Sequence, residues 1–322
     1  MTILVTGCAG FIGYHTCVKL LKKNKIVYGI DNLNKYYDVR LKKNRIKELK
    51  KIYKNFYFNK GDIENINFLK KIFKEKKIRK IIHLAAQAGV RYSILKPRTY
   101  MQSNILGFFN ILECSRIYKV NHCVFASTSS VYGNTKKFPT SENDNTDQPL
   151  SFYAATKKSN EVMAYSYSNI YKVPLTGLRF FTVYGPLGRP DMALFKFTKS
   201  IINNSKISVY NKGNHLRDFT YIDDVVESIY KLIYKPPKLK IPFEIYNVSS
   251  NNPITLNNFI SKIEKQLNKK SRVLKMSIQK GDVIKTHGNN KKITKKTKYK
   301  IKNDLDLGIN KFTKWYKTYY SK

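Results

Sequence analysis

A chain of 322 residues, 42% hydrophobic and 25% charged, is long enough for a large α/β body with a smaller lobe and too apolar for disorder. It contains no run of ~18 apolar residues, which excludes an ordinary membrane-spanning helix. Sixty-one Lys and Arg against 21 Asp and Glu leave a net charge of +40, but only ten of these cations are Arg and the lysines are spread along the whole chain. The expectation is therefore no nucleic-acid partner and no membrane partner, with a field that favours an anionic small molecule.

Residues 3–6 read as a short apolar strand, with no basic leader before it, which points to a cytoplasmic protein. Cys8, Cys17, Cys114 and Cys123 form no CxxC pair and join no His cluster, so buried reduced thiols and no metal site are expected. A helix is predicted over 11–22, a strand over 26–31, a Lys-rich helix over 39–52 and a strand over 55–59. Phe68, Leu69, Ile72 and Phe73 then recur at helical spacing. A strand over 81–85 precedes a helical stripe over 99–118 (Ile105, Phe108, Phe109, Leu112). A strand over 123–127, a helix over 154–171 and a strand over 175–180 follow. This alternation predicts an α/β fold: a Rossmann-type doubly wound parallel sheet with helices on both faces.

After a turn-rich break at 186–190 a helix is predicted over 222–234, stopped by Pro236 and Pro237. A strand over 243–248, a helix over 256–267 and a solvated basic run over 291–302 complete the reading. The expected division is a sheet domain, 1–180, rejoined by about 215–250. The rest, 181–214 and 251–322, forms a smaller mixed α/β lobe.

Gly7-Cys8-Ala9-Gly10-Phe11-Ile12-Gly13 follows a predicted strand and opens a predicted helix. Glycines at that spacing let the backbone turn tightly and approach a pyrophosphate at the helix N-terminus. Asp31 ends the second strand, 18 residues beyond Gly13, where a carboxylate can bind a ribose diol and repel a 2′-phosphate. That favours NAD over NADP, although Lys35 and Arg40 lie nearby. Asp62 reads equally as an adenine contact or a turn aspartate.

Ser127-Thr128-Ser129-Ser130 ends a strand, and Tyr153 and Lys157 lie four apart on one helical face. A lysine ammonium and a positive nicotinamide near a phenol favour the phenolate, moving its pKa from ~10 toward neutrality and making it a usable base. A strand-end hydroxyl would share the proton of a substrate hydroxyl.

The ordered motifs resemble the extended short-chain dehydrogenase/reductase family, specifically its NAD-dependent nucleotide-sugar epimerases, and are most similar to UDP-glucuronate 4-epimerases. The segments that carry this are 6–13, 31–38, 83–93, 126–133, 153–157, 179–186, 188–193, 217–224 and 281–283. The resemblance implies Tyr153 as acid/base, Lys157 as its support on the nicotinamide ribose and Thr128 as the hydroxyl partner. It implies NAD lined by Gly7, Gly10, Phe11, Ile12, Gly13, Asp31, Asn32, Asp62, Ile63, Leu84, Ala85, Ala86, Ser127, Tyr153, Lys157, Phe180 and Val183. A UDP-sugar would meet Arg91, Thr128, Ser129, Ser130, Thr182, Arg189, Arg217 and Asp282. Arg217 would grip the pyrophosphate, since a planar fork donates two N–H groups at once. A homodimer is also implied.

Within that family, dehydratases carry an Asp-Glu pair after the catalytic Thr, and UDP-glucuronate decarboxylases a Glu at the second position. Here these positions are Ser129 and Ser130. Arg189 would face the sugar carboxylate, a charge that a UDP-glucose 4-epimerase does not meet; the plainer reading of it is a loop arginine tied to Asp191. The alternatives are that neutral-sugar epimerase, a decarboxylase, or a non-catalytic dinucleotide sensor. Two departures stand out: Thr286-His287-Gly288-Asn289-Asn290 replaces an Ala-Asp pair of the relatives, and Leu187 stands where many have Trp.

Overall fold

The computed structural model describes residues 2–278, 281–302 and 304–320. Its strands in chain order are β1 (Thr2–Thr6), β2 (Ile26–Asp31), β3 (Phe56–Lys60), β4 (Lys80–His83), β5 (His122–Thr128), β6 (Leu175–Phe180), β7 (Thr182–Tyr184), β8 (Lys206–Tyr210), β9 (Leu216–Tyr221), β10 (Phe243–Val248), β11 (Pro253–Thr255) and β12 (Arg272–Met276). Seven of them form one parallel sheet, ordered β10-β6-β5-β4-β1-β2-β3. Ile3, Leu4 and Val5 of β1 are fully buried, because helices cover both faces of a parallel sheet. The strand order reverses between β1 and β4, which opens a crevice at the carboxyl ends of the strands.

The helices Phe11–Lys22, Val39–Ile52 and Leu256–Leu267 and the strands β2, β6 and β10 fall on their predicted bounds. Short polar side chains set several starts. Asp38, Asn65, Ser151 and Thr255 each accept a hydrogen bond from a backbone N–H in the first turn of the helix that follows.

Four segments differ from expectation. The stripe over 99–118 is not one helix. It divides into Pro97–Tyr100, a π-helical turn Met101–Leu106, and the helix Gly107–Ile117. The wide turn carries the fully buried Asn104 side chain, whose amide bridges the Gln87 backbone and the Thr156 hydroxyl. The basic run over 291–302 contains a helix, Lys291–Thr297, that packs Ile293 and Thr297 inward. Lys291, Lys292, Lys295, Lys298, Lys300 and Lys302 are exposed, as expected of a solvated run. Helices Ala193–Ile202 and Leu305–Tyr320, which periodicity did not mark, pack on Leu256–Leu267 around a second core. There Phe219 and Phe259 stack at 4.1 Å. β7, β9 and β11 form a three-stranded sheet beside this core, and β8 and β12 a parallel pair. Among the described residues no helix is long and apolar enough to cross a membrane.

Candidate active site

A cleft of about 1090 Å³ runs along the carboxyl ends of the sheet and out between the two cores. Every residue that the sequence reading assigned to cofactor, substrate or chemistry lines this one cleft. They come from loops after β1, β2, β3, β4, β5 and β6 and from the C-terminal segments.

At the phosphate end the backbone must come very close to its neighbours. Gly7 has φ +71°, and a Cβ there would sit 2.7 Å from the Ala85 nitrogen. A Cβ on Gly13 would collide with the Gly7 carbonyl oxygen. The cradle is thus shaped as a dinucleotide pyrophosphate requires. Asp31 accepts from the backbone N–H of Ala9 at 3.1 Å and of Leu33 at 2.8 Å. Burial raises its pKa, while those bonds and the nearby Lys42 oppose the rise. Lys35 and Arg40 are not part of the cleft wall, and Arg40 turns to Asp38 in solvent. The cation beside Asp31 is instead Lys42, which donates to the carbonyl and side-chain oxygens of Asn34 at 2.8 and 2.7 Å. Asp62 is a turn aspartate that accepts from the Glu64 N–H, and it also accepts from the Asn32 amide and lines the cleft.

At the reactive centre Ser151 caps the helix Phe152–Tyr171, which sets Tyr153 and Lys157 on its inner face. Lys157 is buried, and its Nζ donates to the Ala126 carbonyl at 3.0 Å. Burial pulls its pKa down to about 8. Burial pushes the Tyr153 phenol above its ordinary value, against the pull of Arg189 and of a hydrogen bond with Thr128. The chain's own cations therefore do not offset the burial of this phenol. Thr128 caps the short turn Ser129–Tyr132, accepting from the Ser130 N–H at 3.2 Å, so three hydroxyls and no carboxylate follow β5.

Ser127 points away from the phenol, and its hydroxyl donates to Glu161 at 2.6 Å. Glu161 is held bidentately by Arg179 at 2.9 and 2.8 Å, and Arg179 also donates to the Tyr132 hydroxyl at 2.9 Å. This buried pair with its further hydrogen bonds fixes the floor beneath the site.

Beyond the phenol, Arg189 is tied to Asp191, with Nε to Oδ1 at 3.0 Å and Nη2 to Oδ2 at 2.6 Å. It still lines the cleft, and its charge is felt by Tyr153. Arg217 pairs with Asp282 at 3.0 Å and donates to the Ile284 carbonyl. Its neighbour Asp218 faces the opposite way, buried under N–H groups of Ser250, Asn251 and Gly288. The departing segment 286–290 is anchored there and to Thr140. Leu187 packs against the sheet-side core, and its carbonyl accepts from the buried Arg45. The Arg189–Asp191 tie was weighed in the sequence; missed were Lys42, Tyr36 and, on the helix that periodicity did not mark, Lys196 and Lys199. With Arg91, Lys206 and Arg217 these last two give the far end of the cleft a cationic wall.

The chain matches the family described as GDP-mannose 4,6 dehydratase over residues 4–312. It is 49% identical to Protein CapI of Staphylococcus aureus, with the whole of both chains covered. It is 43% identical to UDP-glucuronate 4-epimerase 4 of Arabidopsis thaliana, covering all of this chain and 76% of that one. The crystal structure of a UDP-glucuronic acid 4-epimerase from Bacillus cereus, in complex with UDP-glucuronic acid and NAD, superposes with a TM-score of 0.93. That protein is 32% identical, over 99% of this chain and 100% of its own.

Proposed function

The chain belongs to the GDP-mannose 4,6 dehydratase family of extended short-chain dehydrogenases/reductases, and from that premise we propose that it is a UDP-glucuronate 4-epimerase that keeps NAD bound. The observation that carries this reading is the arrangement around Tyr153. Thr128 hydrogen-bonds the phenol, the Arg189 charge bears on it, Lys157 lies one helical turn on with its Nζ on the Ala126 carbonyl, and Ser129 and Ser130 fill the positions where an eliminating or decarboxylating enzyme would hold an acid.

The glycine cradle at 7–13, Asp31, Asn32, Asp62, Ile63, Leu84–Ala86, Ser127, Phe180 and Val183 would hold the dinucleotide, with Lys157 on its nicotinamide ribose. Bound NAD supplies a hydride acceptor and donor at sugar C4 and a positive ring beside Tyr153. Tyr153 would take the proton of the C4 hydroxyl, with Thr128 sharing it, and would return it to the C4 oxygen once the sugar has turned and presents its other face for reduction. Between these events the 4-keto sugar turns about its link to the diphosphate, which Arg217 and the lysines of the far wall hold. Arg189, Thr182 and the hydroxyls of Ser129 and Ser130 hold the carboxylate. Its bond to C5 then stays out of line with the C4 carbonyl, which suppresses loss of carbon dioxide.

Proton NMR of UDP-glucuronate with the purified protein and no added cofactor tests the proposal. UDP-galacturonate, approaching an equilibrium mixture, is the expected product. UDP-xylose would mean that the serines do not prevent decarboxylation. Turnover of UDP-glucose alone would assign Arg189 to structure.

The same reading divides the chain into an NAD-binding domain, 1–180 rejoined by about 215–250, and a substrate lobe, 181–214 with 251–322. Cytoplasmic placement is supported by four free buried cysteines. A homodimer is supported by Met101, Leu106, Phe109, Val162 and Tyr165, large side chains left exposed on two helical segments that pack together. Light scattering is expected to give twice the chain mass, and Val162→Glu to give the single chain.

A further inference from the structure

Tyr36 and Asp191 lie 155 residues apart, on the loop after β2 and the loop after β7, yet the Tyr36 hydroxyl donates to Asp191 Oδ2 at 2.9 Å. That same carboxylate takes the Nε and Nη2 donors of Arg189. A side-on pair of this kind occupies one edge of the guanidinium and leaves Nη1, with the second Nη2 hydrogen, free to face another carboxylate. The chain has made room for the arrangement. Gly89 has φ +105°, and a Cβ there would strike the Tyr36 hydroxyl. The Tyr36 ring packs on Tyr92 at 4.7 Å, and Tyr100 lies edge-on to Tyr153 at 6.1 Å. Burial and the Asp191 charge push the Tyr36 phenol up to about 12, so it remains a donor across the working pH range.

We propose that Tyr36, acting through Asp191, positions Arg189 with its free edge toward the sugar carboxylate and so sets the preference for an acidic sugar. The inference rests on the substrate reading above. Tyr36 and Asp191 are positioning residues in it, since Arg189 alone meets the substrate. A competing carboxylate next to Arg189 would by itself weaken a second anion. The Tyr36 hydrogen bond offsets this by drawing on the Asp191 charge, and the pair gains a fixed arginine in return.

The test is calorimetric binding of UDP-glucuronate and of UDP to the NAD-loaded wild type, Tyr36→Phe, Arg189→Gln and the double variant. Phe keeps the stack on Tyr92 and removes only the donor. Tyr36→Phe is expected to weaken UDP-glucuronate about tenfold, the size of one hydrogen bond to a charged group. It is expected to leave UDP, which lacks the sugar, unchanged. In the Arg189→Gln background Tyr36→Phe is expected to have no further effect. Equal weakening in both backgrounds, or weakening of UDP, would mean that Tyr36 shapes the cleft generally and would overturn the proposal. So would a Tyr36→Phe protein that binds UDP-glucuronate as the wild type does. A wild type that fails to convert UDP-glucuronate overturns the substrate reading and this inference with it. Conversion by a wild type whose affinity is indifferent to Tyr36 overturns this inference alone.

Discussion

Tyr153→Phe is expected to lower kcat for UDP-glucuronate about 10³-fold while leaving bound NAD in place, because a positioned acid/base contributes roughly 10²–10⁴-fold. The substitution removes one oxygen. The ring keeps its edge contact with Tyr100, and Thr128 keeps its cap on the Ser130 N–H. The stability change should stay near 1 kcal/mol, the net value of one hydrogen bond. The measurement is a single-turnover assay combined with the cofactor content of the purified protein. A variant that loses NAD as well as activity would place Tyr153 in cofactor retention. A variant with near-normal turnover would move the proton work to Thr128.

The environment of this phenol also sets a pH dependence. Burial lifts it, and Arg189 and Thr128 pull it down. Its ionisation therefore leans on added positive charge, and on the proposed mechanism Lys157 supplies part of it, carrying its proton only below about 8. As pH rises through that value the ammonium is lost and with it support for the phenolate, so kcat/KM is expected to fall on the alkaline side.

What the residues disclosed follows from the distance over which each feature is built. The phosphate loop is complete within seven residues between a strand and a helix, and Tyr153 and Lys157 share one helical turn downstream of that loop and of the Ser/Thr cluster, so local pattern in its context revealed both. Arg189 and Asp191 were readable as charges in one loop, but Tyr36, which donates to Asp191, comes from 155 residues away, where no periodicity applies. The same holds for Lys42. Nearby Lys35 and Arg40 looked like the cations beside Asp31, yet the helix beginning at Val39 turns Arg40 outward and brings Lys42 in. The π-helical turn at Met101–Leu106 was hidden because its apolar residues still mimic a continuous stripe. The bulge is required by Asn104, a polar residue whose buried partners lie on two other elements.

Lys157→Met is expected to abolish turnover and to make the protein more stable. In the fold the ammonium is buried with the Ala126 carbonyl as its hydrogen-bond partner among the described residues. Its pKa falls from 10.5 to about 8, so folding disfavours the charged form. The sign is fixed by proton linkage. Between about 8 and 10.5 the unfolded chain holds a proton that the folded chain has shed, so wild-type stability rises with pH through that window. Below about 8 both states are protonated and the full penalty applies. Methionine fills a similar volume without the charge. It leaves the Ala126 carbonyl short of one donor, a loss of about 1 kcal/mol that offsets part of the gain. A net gain of about 1–2 kcal/mol corresponds to a Tm higher by about 2–8 °C. Measured on both proteins freed of NAD, because loss of Lys157 would also weaken cofactor binding and its stabilisation by mass action, the difference in Tm should be largest below pH 8 and shrink toward pH 10.5. A constant difference across that range would mean that Lys157 is not the group being titrated, and a lower Tm would mean that its bond to Ala126 outweighs its desolvation. The expected result makes Lys157 a residue kept at a cost in stability, because the phenol beside it needs a cation that the fold would otherwise exclude.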